Sequence, residues 1–137
     1  MPRKIILISC ASRKLPTRSK AKDLYISTLY DLNLRFAYSM NPDAVYILSA
    51  KHGLLNLETE IDPYNLTLNN MTQREIKEWA LKVISQLDAV ADLSNDHFIF
   101  LAGDKYRKYL VPSLRSYEVP LEGLPIGKQL QFLKRNT

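Results

Sequence analysis

His52 stands between Lys51 and Gly53, just beyond the apolar run Ala44–Ser49. A pKa near neutrality lets such a histidine protonate a leaving group or hold a carbonyl oxygen. Its plainer role is a loop imidazole bonded to backbone. Two carboxylates have matching surroundings: Asp23 precedes Tyr25 and Ser27, and Asp62 is followed by Pro63 and Tyr64. Either suits the stabilisation of positive charge on a sugar, or the orientation of water. Equally, Asp23 can partner a basic loop, and Asp62-Pro63-Tyr64 can be a turn with a packed ring. Cys10 has Ser9, Ser12 and Lys14 close by, and a neighbouring cation favours a thiolate nucleophile, although a buried cysteine at a strand end is the commoner arrangement. Tyr25, Tyr64 and Tyr106 suit the stacking of an unpaired base. Two histidines and one cysteine make a poor zinc set. Neither GxGxxG nor GxxxxGK[ST] occurs, so dinucleotide and P-loop chemistry lack support.

These residues need elements to hold them. Lys4–Ser9 is a continuous β-branched run, expected to be a central strand buried on both faces of a parallel sheet. Residues 10–22 read as a loop, and a helix follows to about Met40, with Leu29, Leu32, Phe36 and Met40 near helical spacing and Ser27 as N-cap. Asn41-Pro42-Asp43 stops it. Ala44–Ser49 predicts a second strand and Ala50–Gly53 the loop beyond it, while residues 54–70 are free to fold over the strand ends. Thr72 and Glu75 form a capping box for a helix over 72–92 whose apolar stripe is core. Residues 98–102 predict a third strand. Gly103 and Asp104 then cap a short helix to Leu110, an edge strand lies near 116–119, and a last helix begins at Gly127.

Strands alternating with helices predict a single α/β domain over residues 1–137. The expected form is a three-layer sandwich around a small, mainly parallel sheet of about three or four strands. Ligands bind such sheets outside the carboxyl ends of the strands. The loops Ser9–Lys22, Ala50–Gly53 and Gly103–Tyr106 are therefore expected to meet. That makes His52, Asp62 and Asp23 the catalytic candidates. Ser9, Cys10, Ser12, Tyr25, Ser27, Lys51, Tyr64, Gly103 and Tyr106 are the candidates for substrate contact. His97, at the other edge of the sheet, is expected to be structural.

With 137 residues, 46% hydrophobic and 24% charged, the composition is that of one ordinary soluble domain. No apolar run approaches the roughly 18 residues of a membrane span, no secretory signal is recognisable, and a single cysteine makes no intramolecular disulfide. A cytoplasmic location is expected. The net charge of +5 is unevenly spread: +7 over residues 1–22, −7 over 23–104 and +5 over 105–137. If the two basic ends meet, Arg13, Lys14, Arg18, Lys20, Lys105, Arg107 and Lys108 would bind nucleic-acid phosphates. A solvated surface of varying sign is the alternative.

Six segments together carry a resemblance: Ile8–Lys14, Asp23–Ser27, Leu48–Leu54, Pro63–Tyr64, Leu101–Gly103 with Tyr106, and Pro120–Gly127. The set resembles a widespread small prokaryotic and phage family, long of unknown function, whose fold is similar to the uracil-DNA glycosylase superfamily and whose members include antiviral DNA glycosylases. More distantly, Cys10, Lys14, Tyr25 and Ser27 are similar to the Pro-Cys-x3-Lys-Pro-Tyr-x2-Ser-x2-His motif of archaeosine synthase; here Ser9 replaces the proline, an insert separates Lys14 from Tyr25, and no histidine follows Ser27. The resemblance implies a pocket for one flipped-out base and excision of a modified base from DNA, or from RNA, with no metal or organic cofactor. Lys14 or Lys51 as a Schiff-base former, a base-modifying transferase and a non-catalytic nucleic-acid binder are the competing readings.

Overall fold

The computed structural model describes residues 2–137. In chain order the elements are β1 (Lys4–Ser9), β2 (Ser19–Lys20), α1 (Ala21–Leu24), α2 (Thr28–Ser39), β3 (Ala44–Ser49), β4 (Gly53–Asn56), β5 (Glu60–Ile61), α3 (Gln73–Asp88), β6 (His97–Leu101), α4 (Asp104–Arg107), β7 (Ser116–Glu118) and α5 (Ile126–Arg135). Single 3-10 turns lie at Leu68–Asn70 and Val111–Ser113. Ile5, Ile6, Leu7 and Ile8 are fully buried, because β1 pairs in parallel with β3 on one side and β6 on the other. Alternate side chains then serve opposite layers. Ile6 and Ile8 pack with Ala37 of α2 and Leu133 of α5. Ile5 and Leu7 pack with Trp79, Val83 and Leu87 of α3. The expected three layers are present, with the central strand where the sequence places it.

The sheet has five strands in the order β4-β3-β1-β6-β7, one more than the upper expectation. The addition is β4, antiparallel to β3, in a stretch the sequence presents as loop. Gly53 makes the reversal possible with φ at +73°, a region that suits glycine. A second departure lies in residues 10–22, where β2 and α1 replace featureless loop and β2 pairs with β5. That excursion closes on itself: Lys14 and Tyr25 form an antiparallel bridge, flanked by Leu15 N–H to Leu24 C=O (2.8 Å) and Ile26 N–H to Arg13 C=O (2.9 Å). The insert thus leaves and returns at one point, and Lys14 meets Tyr25.

The helix signals are accurate at their starts. Ser27 Oγ accepts the Tyr30 N–H (2.9 Å), and Thr72 with Glu75 forms the full capping box. Helix α3 ends at Asp88, short of 92, where the N–H groups of Val90 and Ala91 both turn onto the Leu87 carbonyl. Gln86 of α3 clamps the hairpin: its Oε1 accepts the Leu54 N–H (2.8 Å) and its Nε2 donates to the His52 carbonyl (3.2 Å). A Cβ on Gly53 would strike Gln86 Oε1. Gly53→Ala is therefore expected to lose about 1–2 kcal/mol from backbone strain alone, and more from the displaced clamp, as measured by urea unfolding.

Candidate functional site

Ser49 ends β3 fully buried and organises what lies beyond it. Its carbonyl accepts the Trp79 indole N–H (2.8 Å), and its Oγ accepts the His52 backbone N–H (3.0 Å). The same Oγ shares a 2.7 Å hydrogen bond with the Tyr64 hydroxyl, which shares another of 2.7 Å with the Tyr25 hydroxyl. Burial pushes Tyr25 up to about 12, and burial also raises Tyr64. Both hydroxyls therefore stay neutral at physiological pH, as hydrogen-bonding groups. Lys14 Nζ lies 4.4 Å from the Tyr64 ring centroid, a cation–π contact, and partial burial lowers its pKa.

Beside this network, at the carboxyl ends of β1 and β6, lies a cavity of about 300 Å³. Ser9, Cys10, Ser12, Ser27 and Tyr106 line it, all of them candidates from the sequence. Leu66, Thr67 and Asn69 close over it, so part of the 54–70 stretch does cover the site. Cys10 Sγ and the Tyr106 hydroxyl share a 3.5 Å hydrogen bond, and the Tyr106 ring stands edge-on to Trp79 at 5.7 Å. An adjoining cavity of about 230 Å³ shares Ser9, Leu29 and Asn33 with the first, and adds Gly103, Asp104, Arg107 and Glu122.

Asn33 is the main residue that the sequence reading misses. It is 4% exposed in the middle of α2, and its amide oxygen has no hydrogen-bond partner. Leaving a buried polar atom unpaired costs about 1–3 kcal/mol, so such a group points to a ligand. A signal for it exists: Asn33 follows Leu29 by four residues and so falls on the apolar stripe of its helix, where asparagine is out of place. Arg107 is also differently employed. Its side chain is 17% exposed, sits 3.8 Å from Asp104 and 4.0 Å from Glu122, and donates to the Ala102 carbonyl at 3.2 Å. It is a brace between two carboxylates and not a free phosphate ligand.

The three catalytic candidates do not converge. Asp23 is exposed; Asp62 is 71% exposed and paired with Arg18 at 3.2 Å; neither lines either cavity. The His52 ring lies edge-on to Tyr64 at 5.6 Å, outside both linings. Burial, then Lys51 and Lys82, lowers its pKa, which keeps it neutral near pH 7. The basic N-terminal segment is also corrected. Arg3 pairs with Asp96, and Lys4 donates to the Met40 carbonyl, at the far end of β1. Lys20 and Lys22 both pair with Glu58. The acidic segment 58–62, part of the negatively charged middle of the chain, returns beside the basic loop because β5 pairs with β2. Exposed pairs of this kind are worth about 0–1 kcal/mol, so phosphates can displace them. Arg13, Lys105 and Lys108 are exposed and have no ion pair among the described residues. His97 is structural as expected, bonding Ser116 Oγ at 2.6 Å.

Residues 5–135 match the model of a family described as a family of unknown function, DUF6884. No curated protein matches the chain. The network around Ser49 gives a direct test. Tyr64→Phe strands the Tyr25 hydroxyl and is expected to cost about 1–3 kcal/mol. Asp62→Asn removes only an exposed ion pair and is expected to cost less than about 1 kcal/mol; urea unfolding of the two variants side by side checks the contrast.

Proposed function

The chain belongs to DUF6884, a family of unknown function, and we propose that it is a DNA glycosylase that takes one flipped-out, modified base into the cavity beside Cys10 and cleaves its N-glycosidic bond. Asn33 carries this reading: a buried amide with unspent hydrogen-bonding capacity is the kind of group that reads the edge of a nucleobase. The cavity lies outside the carboxyl ends of parallel strands, where α/β sheets bind ligands. Tyr106 supplies an aromatic wall. The resemblance of the six sequence segments to the antiviral glycosylase family, and to its uracil-DNA glycosylase-like fold, supports the same reading and suggests a role in defence against phage with modified DNA.

In this scheme water adds to the sugar C1′, the C–N bond breaks, and the base leaves with a proton. Positive charge grows on the sugar before water arrives, so a carboxylate near the cavity mouth lowers the barrier. Asp104 and Glu122 border the adjoining cavity on either side of Arg107. They are better placed for this than Asp23 or Asp62. Neither Lys14 nor Lys51 lines the cavities, which favours hydrolysis over a lysine Schiff base.

The test is incubation with DNA carrying modified bases, scored for abasic sites; the absence of base release from every such substrate overturns the reading, and transfer of a labelled group with the base retained would replace it with a transferase. Glu122→Gln combined with Asp104→Asn is expected to lower the rate of base release by about 10²-fold. Asn33→Leu is expected to abolish base binding while leaving stability unchanged or about 1 kcal/mol higher, because it removes an unpaired polar group. Unfolding curves and base release on one preparation separate the two effects.

A further inference from the structure

We infer that Lys14, Lys51 and the His52 ring, gathered around Tyr64, form with the adjoining Lys82 an anion site whose occupant is a phosphodiester of the nucleic-acid backbone. The inference rests on the proposed function, since it takes the ligand to be the strand whose base enters the cavity.

The observation behind it is an assembly of like charge. Lys14 Nζ and Lys51 Nζ lie 4.4 Å and 6.0 Å from the Tyr64 ring centroid. The His52 ring lies 5.6 Å from the same ring. Lys82 reaches in from α3 and donates to the Lys51 carbonyl at 3.4 Å. The ammonium groups of Lys14, from the loop after β1, and Lys51, from the turn after β3, thus meet at one ring, and that of Lys82 reaches the Lys51 backbone from a helix on the other layer. Like charges repel, and none of these lysines has a carboxylate within 4 Å among the described residues. Other cations of the fold are paired, Arg18 with Asp62, Lys20 and Lys22 with Glu58, and Arg107 with Asp104 and Glu122, while Arg13, Lys105 and Lys108 are unpaired among the described residues but exposed.

The arrangement is also held in place before any ligand arrives. Tyr64 is tied through its hydroxyl to Ser49 and Tyr25, and Gln86 fixes the turn that carries Lys51 and His52. The charged and titratable groups facing His52 are Lys51 on its own turn, Lys82 from α3, and Tyr64. All the nearby charge is positive, and it lowers the His52 pKa alongside burial. Lys51 and Lys82 are exposed, so the site is open to solvent and accessible to an anion that would supply the negative charge no neighbouring carboxylate among the described residues provides. Phosphate matches it by charge and by acceptor number, and ammonium groups bind it as point charges. Lys14 Nζ also donates to the Ser12 carbonyl at 3.0 Å, and Ser12 lines the base cavity, so the anion site adjoins the place proposed for the flipped base.

The intact chain has two histidines, and His97 at the opposite edge is an internal control. In a histidine NMR titration, inorganic phosphate is expected to move the His52 ring signals and raise its pKa while leaving His97 unchanged. A short single-stranded oligonucleotide is expected to produce the same change at a concentration at least about tenfold lower. Lys82→Gln is expected to weaken oligonucleotide binding and flatten its dependence on log salt by about one unit. A His52 response that is absent, or equal to that of His97, overturns the site. A response to free phosphate with no stronger response to the oligonucleotide overturns the backbone assignment. Base release on the same preparation is read separately. Release without a His52 response defeats only this site, and a His52 response without release defeats only the glycosylase reading.

Discussion

Strand β1 is hydrogen-bonded along both edges and covered on both faces, and the rest of the molecule depends on that burial. No polar residue between Lys4 and Ser9 would survive there, because an unpaired polar group in such a layer costs several times the net value of a hydrogen bond. The parallel register with β3 and β6 brings three strand ends to one edge. Ser9 and Cys10 emerge where the apolar run stops. Their polarity is tolerated because they stand at the boundary of the sheet, and the same boundary is where a ligand can enter.

The chemistry at that edge is organised less by the strands than by what returns to them. Residues 15–24 loop out and rejoin at the Lys14–Tyr25 bridge, and the segment after β5 lays Tyr64 against Ser49 and Tyr25. A chain of hydroxyls results, in which Ser49, Tyr64 and Tyr25 share protons that burial keeps in place. This chain sets the position of the Tyr64 ring, and the ring in turn sets the positions of Lys14 and His52. Trp79 joins the opposite layer to it by bonding the Ser49 carbonyl and bracing Tyr106. Helix α3 is thus both a core element and a support for the site.

Charge is sorted on the same pattern. Cations that meet returning acidic segments are paired, while those around Tyr64 are left facing one another. The pairs of Arg18, Lys20 and Lys22 sit on the outer surface of the excursion and are weakly held. The set around Tyr64 lies beside the cavity. The basic residues therefore divide into cations paired with acids, exposed unpaired ones such as Arg13, Lys105 and Lys108, and the group at Tyr64 proposed to hold a single anion.

Much of this was legible in the residues themselves. The uninterrupted run Ile5–Ile8 marks a strand buried on both faces, Thr72 and Glu75 mark the start of α3, and Ser27 caps α2; each is a property of neighbouring residues and of a repeat along the chain. Cys10, Ser12, Ser27 and Tyr106 could be assigned to one site because strand order alone brings the loops together. What the local pattern could not carry was the partner of each charge, since Arg18 meets Asp62 across 44 residues and Lys20 meets Glu58 only because β2 pairs with β5. The place of Asn33 on the apolar stripe of α2 marks it as unusual, but only packing shows that it is buried with its amide oxygen unpaired, and β4 is too short to announce itself beside a glycine turn. The sequence by itself determined the layers and the edge that holds the site. The tertiary structure decided which polar groups at that edge are satisfied and which are left for a ligand, because hydrogen-bond and charge balance depend on contacts between segments that are far apart in the chain.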